Sequence, residues 1–121
     1  MTLLSSILFA LVALLHVWFM VLEMFLWEKP LGLKTFRQSK EQAAATATLA
    51  KNQGLYNGFL SAGIVWGLME GTSTPFGQRT LIFFGACVVV AGLYGAWSTG
   101  KRQILYVQTL PAALALGSLA L

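Results

Sequence analysis

Four stretches of this chain contain no Asp, Glu, Lys or Arg: residues 1–22, 52–69, 80–100 and 103–121, of 22, 18, 21 and 19 residues. Together they make up 80 of the 121 residues. A soluble domain must turn part of every element toward water, and about 25% of its residues are charged; here 10% are charged and 57% are hydrophobic. Each helix that crosses the roughly 30 Å apolar core of a bilayer needs about 20 apolar residues. The four stretches therefore predict four spans with short connections and leave no length for a separate soluble domain. We expect an all-α fold, an integral membrane four-helix antiparallel bundle, forming one transmembrane domain over residues 1–121.

The basic residues orient such a bundle. Lys29, Lys34, Arg37, Lys40 and Lys51 fall between the first and second spans and Lys101 and Arg102 between the third and fourth, whereas the opposite side has Arg79. Loops rich in Lys and Arg stay in the cytoplasm, so a bias of seven to one predicts both loops inside and both termini outside. The net charge of +4 thus belongs to a solvated, lipid-facing loop rather than to a nucleic-acid surface, each basic residue near anionic headgroups contributing about 1 kcal/mol. The first stretch has no positive leader and is too long for a removable secretory signal, which predicts a permanent span. Cys87 is the single cysteine and lies in an apolar run, so it can form no disulfide within the chain and is expected to pack.

Local signals set the expected boundaries at 2–27, 39–70, 75–99 and 101–120. The first helix should end where Glu28, Lys29 and Pro30 meet water, with Leu31 to Arg37 a basic loop, because the residue before proline disfavours helix. Ser39 and Gln42 have capping-box spacing, and Ala43 to Ala50 is rich in helix formers. A continuous helix from Ser39 to Glu70 would be about 48 Å long; a break near Asn52 is the alternative. Thr74 and Pro75 suit the N-cap and first position of the third helix. Pro111 should kink the fourth and free the Val107 carbonyl. Gly54, Gly58 and Ala62, Gly63 and Gly67, and Gly92 and Ala96 each recur at four-residue spacing, a device for close helix approach that serves packing within one chain or a homo-oligomer. Trp27, Trp66 and Trp97 suit interfacial anchoring.

Polar groups inside apolar spans carry the functional argument, since a charge at mid-bilayer costs at least about 2.5–3.5 kcal/mol. His16, Met20, Glu23 and Trp27 are spaced by four, three and four, which puts them on one helical face. Asn52, Gln53, Tyr56 and Asn57 open the second charge-free stretch, and Gln108 precedes Pro111. With the orientation above, Glu23, Asn57 and Gln108 share the cytoplasmic half and His16 lies deeper. Three readings follow. The groups satisfy one another and fix helix register; or His16, Glu23, Asn52, Gln53, Tyr56, Asn57 and Gln108 line a small-molecule or proton site, which Tyr94 and Tyr106 could join; or His16, Met20 and Met24 offer soft metal ligands. Against the last, His16 and Glu23 stand about 10.5 Å apart along the axis. Glu70, beside Gly71, is expected to be solvated. There is no Asp in the chain, and no zinc spacing, phosphate loop or dinucleotide fingerprint. Nucleophilic catalysis would have to rest on His16 with Ser61, which no spacing supports, and no cofactor or metal is expected.

His16, Glu23 and Trp27, Pro30 and Gly32, Phe36, the run Asn52-Gln53-Gly54-Leu55-Tyr56-Asn57-Gly58, and Gln108 with Pro111 resemble domain-of-unknown-function family 1304, small bacterial membrane proteins. That resemblance covers almost the whole chain and implies a four-span inner-membrane protein without an assigned activity. Two further likenesses are at fold level. Small multidrug exporters have similar length, four spans and a lone glutamate in helix one, although exporters built from oppositely inserted copies need balanced loops. The membrane eicosanoid and glutathione enzymes have four helices and a cytoplasmic-side polar site, with Lys51 and Asn52 faintly similar to their basic and amide residues. The expected function is a non-enzymatic membrane protein that binds or moves a small amphiphilic or cationic molecule. A membrane enzyme with a cytoplasmic-side site and a purely structural subunit are the alternatives.

Overall fold

The computed structural model describes residues 2–121. Among them the fold is all-α: α1 (Thr2–Met24), α2 (Pro30–Phe36), α3 (Lys40–Glu70), α4 (Pro75–Thr99), a π-helical segment (Leu105–Thr109) and α5 (Leu110–Ser118), with no strand. Two helices, over Leu3–Met24 and Pro75–Thr99, are long and apolar enough to cross a membrane. At 1.5 Å per residue they extend about 33 and 37 Å. The chain groups into two compact units, one formed by residues up to Leu15 with Leu60–Leu121, the other by His16–Phe59.

In the first unit Phe9, Val12, Ala13, Ile64, Leu81, Val88, Ala112 and Ala115 form a buried apolar cluster. Glycines let its helices close on it. A Cβ at Gly63 would lie 2.5 Å from the Phe84 ring, one at Gly67 2.7 Å from Leu81, and one at Gly92 2.0 Å from the Thr109 hydroxyl. Buried hydroxyls bond to what is near: Ser61 Oγ donates to the Ala13 carbonyl at 2.8 Å, and Ser118 shares an Oγ–Oγ bond of 2.9 Å with Ser5 while donating to the Ala115 carbonyl. The turn into α4 matches its sequence signals. Thr74 Oγ1 accepts from the Gly77 N–H at 3.1 Å, Pro75 begins the helix, and Gly71 at φ 106 makes the reversal.

The second unit departs from the expected boundaries at its turn. The first helix stops at Met24 rather than Trp27, and residues expected as a loop form α2. Lys29 is held extended before Pro30 (φ −82, ψ 162), as a residue preceding proline should be, but proline then initiates a helix instead of a loop. That helix closes in a Schellman motif: Gln38 N–H donates to the Leu33 carbonyl at 3.0 Å and Arg37 N–H to that of Lys34 at 3.3 Å. Arg37 takes the left-handed conformation, φ 54, that the motif requires. The capping box forms reciprocally, with Ser39 N–H on Gln42 Oε1 at 3.0 Å and Gln42 N–H on Ser39 Oγ at 3.1 Å. From there α3 runs without a break through Asn52.

The last expected helix is also modified. Pro111 has no N–H to give to the preceding turn, and the backbone widens before it: Leu110 N–H reaches back five residues to the Leu105 carbonyl. One extra residue is accommodated per turn, so a π segment stands where a kinked α-helix was expected.

Candidate functional site

Within the His16–Phe59 unit, α1 contributes a face of alternating polar and thioether side chains. His16 is fully buried and Glu23 is 3% exposed. Their seven-residue separation, about two helical turns, puts them on the same side of α1. The His16 ring meets Phe19 edge-on at a centroid distance of 5.2 Å.

The partners of Glu23 come from α3. Gln53 Nε2 donates to one carboxylate oxygen at 2.6 Å and Asn57 Nδ2 to the other at 2.5 Å. Gln53 and Asn57 are four apart and so share one face of α3, and the glycines that follow each of them let that face approach. A Cβ at Gly54 would stand 2.6 Å from Met24 Cγ and 3.0 Å from Glu23 Cβ, and one at Gly58 2.8 Å from Met20 Sδ. A side chain at Gly54, with the Met20 carbonyl also 3.2 Å away, would press on the α1 backbone, whereas one at Gly58 would meet the movable Met20 side chain alone. The small-residue spacing read as a helix-packing device is thus also what brings the carboxylate to its amides.

The seven candidate residues therefore separate. Gln53 and Asn57 are each bonded to Glu23, and His16 lies buried two turns back on the same helix. Asn52 is exposed. Tyr56 is 59% exposed, its ring beside Phe59 at 6.2 Å. Gln108, half-buried on the π segment, belongs to the other unit. Tyr94 and Tyr106 are both exposed. Glu70 accepts a hydrogen bond from the Thr80 hydroxyl at 3.2 Å. Among the described residues no group of three or more His, Cys, Asp or Glu side chains is placed to hold a metal ion.

Trp27 has a second role that its sequence position does not announce. Its indole N–H is shared between the Ala43 carbonyl at 3.1 Å and Thr46 Oγ1 at 3.2 Å, and its ring packs on Phe36 at 4.7 Å. Partners 16 and 19 residues away leave no local spacing signal. An open apolar depression runs along α4, lined by Phe83, Ala86, Cys87, Val90, Ala91 and Tyr94; it contains none of the bonded polar groups.

Chemically, the Glu23 arrangement is a carboxylate whose two oxygens are each held by a neutral amide donor. Such donors orient the group and share its lone pairs, yet bring no positive charge to it.

Comparison with known proteins gives a consistent relationship. The chain is 32% identical over 107 residues to an uncharacterized protein, YpaA, of Lactococcus lactis subsp. lactis (strain IL1403), covering 87% of each chain. No solved structure matches. The model of the family described as protein of unknown function (DUF1304) matches residues 10–120, and with nearly the whole length accounted for, the chain belongs to that family.

Proposed function

We propose that this chain is a four-span, antiparallel multi-pass protein of the bacterial inner membrane, with both termini outside, that binds or moves a small cationic or amphiphilic molecule at Glu23. Support for the membrane setting comes from the two helices of crossing length, from the charge-free residues 52–69 and 103–121, and from the seven-to-one bias of basic residues. The binding reading rests on one observation: the single acidic or basic side chain of α1 apart from His16 is a buried carboxylate engaged on both oxygens by amides that leave its charge unbalanced. In hydrocarbon an intramembrane carboxylate needs a compensating partner, and a proton or a bound organic cation supplies it. His16 is buried on the same face of α1, two turns away.

The test is thermal unfolding of purified protein in detergent against a series of lipophilic cations beginning with tetraphenylphosphonium. Wild type should be stabilised in a concentration-dependent way and Glu23→Gln should not. Equal responses from the two proteins would overturn binding at Glu23. Movement is checked separately, by uptake of the same cation into sealed proteoliposomes.

A second reading is favoured by the same bonds. Since both oxygens are already engaged, Glu23 also suits a clamp between α1 and α3 in a structural membrane subunit. It predicts that Glu23→Gln lowers stability or abundance and leaves the cation response unchanged.

A further inference from the structure

The turn that follows α1 is held more firmly than a connection requires. Trp27 ties it to Ala43 and Thr46 and to Phe36 of α2. Gly32 in α2 approaches the Leu26 carbonyl so closely that a Cβ would stand 1.9 Å away. Arg37 leaves α2 in a left-handed conformation fixed by the Schellman bonds. On this frame Lys29, Lys34, Arg37 and Lys40 are all exposed, and the carboxylates of the same stretch are Glu28 and Glu41, also exposed. Four cations against two carboxylates leave a surplus of two positive charges. Phe25 and Leu31, large apolar side chains of the same stretch, are 64% and 46% exposed.

A surface that is both cationic and apolar, on a fixed backbone and directly after a helix of membrane-crossing length, fits the layer of a bilayer where phosphates meet the first methylenes. We infer that residues 25–40 form a binding site for anionic phospholipid headgroups. Lys34 and Arg37 hold the phosphate, Arg37 through its planar pair of donors, Lys29 and Lys40 flank it, and Phe25 and Leu31 enter the acyl boundary. Free inorganic phosphate offers the same anion without acyl chains and would leave the two apolar side chains unused. The inference rests on the membrane setting proposed for α1 and is independent of ligand binding at Glu23.

The full chain is reconstituted into phosphatidylcholine vesicles with or without phosphatidylglycerol, floated on a density gradient, released in mild detergent, and its retained lipids are counted by native mass spectrometry. Wild type should float and retain phosphatidylglycerol over phosphatidylcholine. Lys34→Gln with Arg37→Gln should lower that preference by about fivefold for each charge removed, whereas Arg37→Lys should keep most of it. Lys101→Gln with Arg102→Gln, a charge-matched change elsewhere, should lower it less than loss of Lys34 and Arg37, and Glu23→Gln should leave it unchanged. Where the double variant fails to assemble, Lys29→Gln reads the same effect at about fivefold. Flotation without a phosphatidylglycerol preference, a preference that survives loss of Lys34 and Arg37, or full displacement of the lipid by inorganic phosphate would each overturn the site. Failure to associate with vesicles at all would overturn the membrane setting and the lipid site together, a result separable from loss of cation binding at Glu23.

Discussion

The two units bury polar groups in different ways. In the unit built around Phe9, Ile64 and Leu81 the buried polar side chains include serines, and each bonds to a nearby carbonyl or another hydroxyl inside a close-packed apolar cluster. In the His16–Phe59 unit the buried polar groups are a carboxylate, its amide partner Asn57 and an imidazole, alongside Leu22, Ala43 and Ala50. A hydroxyl that returns its bond to the backbone costs little and can be lost cheaply. A buried carboxylate is expensive to keep, and removing its partners leaves amides or oxygens stranded. Stability thus rests on shape in one unit and on polar matching in the other, and the buried ionisable side chains, His16 and Glu23, lie in the second.

The largest expected effect tests the packed unit. Phe9→Ala should lower stability by about 3–5 kcal/mol through lost contacts and a residual cavity, as measured by reversible unfolding in detergent, while the amides of residues 16–59 keep their hydrogen-exchange protection until global opening. Loss of protection in both units together would break the comparison. Glu23→Leu comes next, at about 1–3 kcal/mol, because buried Asn57 loses its acceptor, whereas Gln53, which is exposed, can turn to solvent; exchange should quicken in the second unit first. Gly54→Val should cost a similar amount, about 1–3 kcal/mol, by overpacking against Met24 and Glu23, and should also abolish any cation response that depends on the Gln53 and Asn57 bonds. The smallest is Ser61→Ala, near 0.6 kcal/mol, the average for such bonds in a helical membrane protein. A loss of several kcal/mol there would show that the hydroxyls too are matched parts.

How much of this could be read from the chain depends on whether the cause was local. The capping box at Ser39 and Gln42 and the Thr74–Pro75 start are encoded within four residues, and both form as read. The crossing-length character of α1 and α4 follows directly from their uncharged stretches. Helix α2 was not legible, because seven residues do not sustain a helix alone; this one is stabilised by a glycine fitted against the Leu26 carbonyl and by a tryptophan bonded 16 residues away. Proline at 111 announced a disturbance, but a kink and a π widening both relieve the missing donor, and contact of Gly92 with Thr109 accompanies the second. At the candidate site Glu23 stood out by its cost. Choosing Gln53 and Asn57 over Asn52 and Tyr56 required knowing which face of α3 meets α1. The glycines at 54 and 58, each one residue beyond an amide, marked that face.

The bond between Ser5 and Ser118 joins residues 113 positions apart. During synthesis the first helix leaves the ribosome long before its partner exists, and its serine must wait, solvated or paired elsewhere, until the final helix has been made. Closure of that unit is therefore a late event, slow in the sense that distant pairings are slow. In the interval the nascent chain presents an incomplete surface to whatever chaperones or proteases survey it.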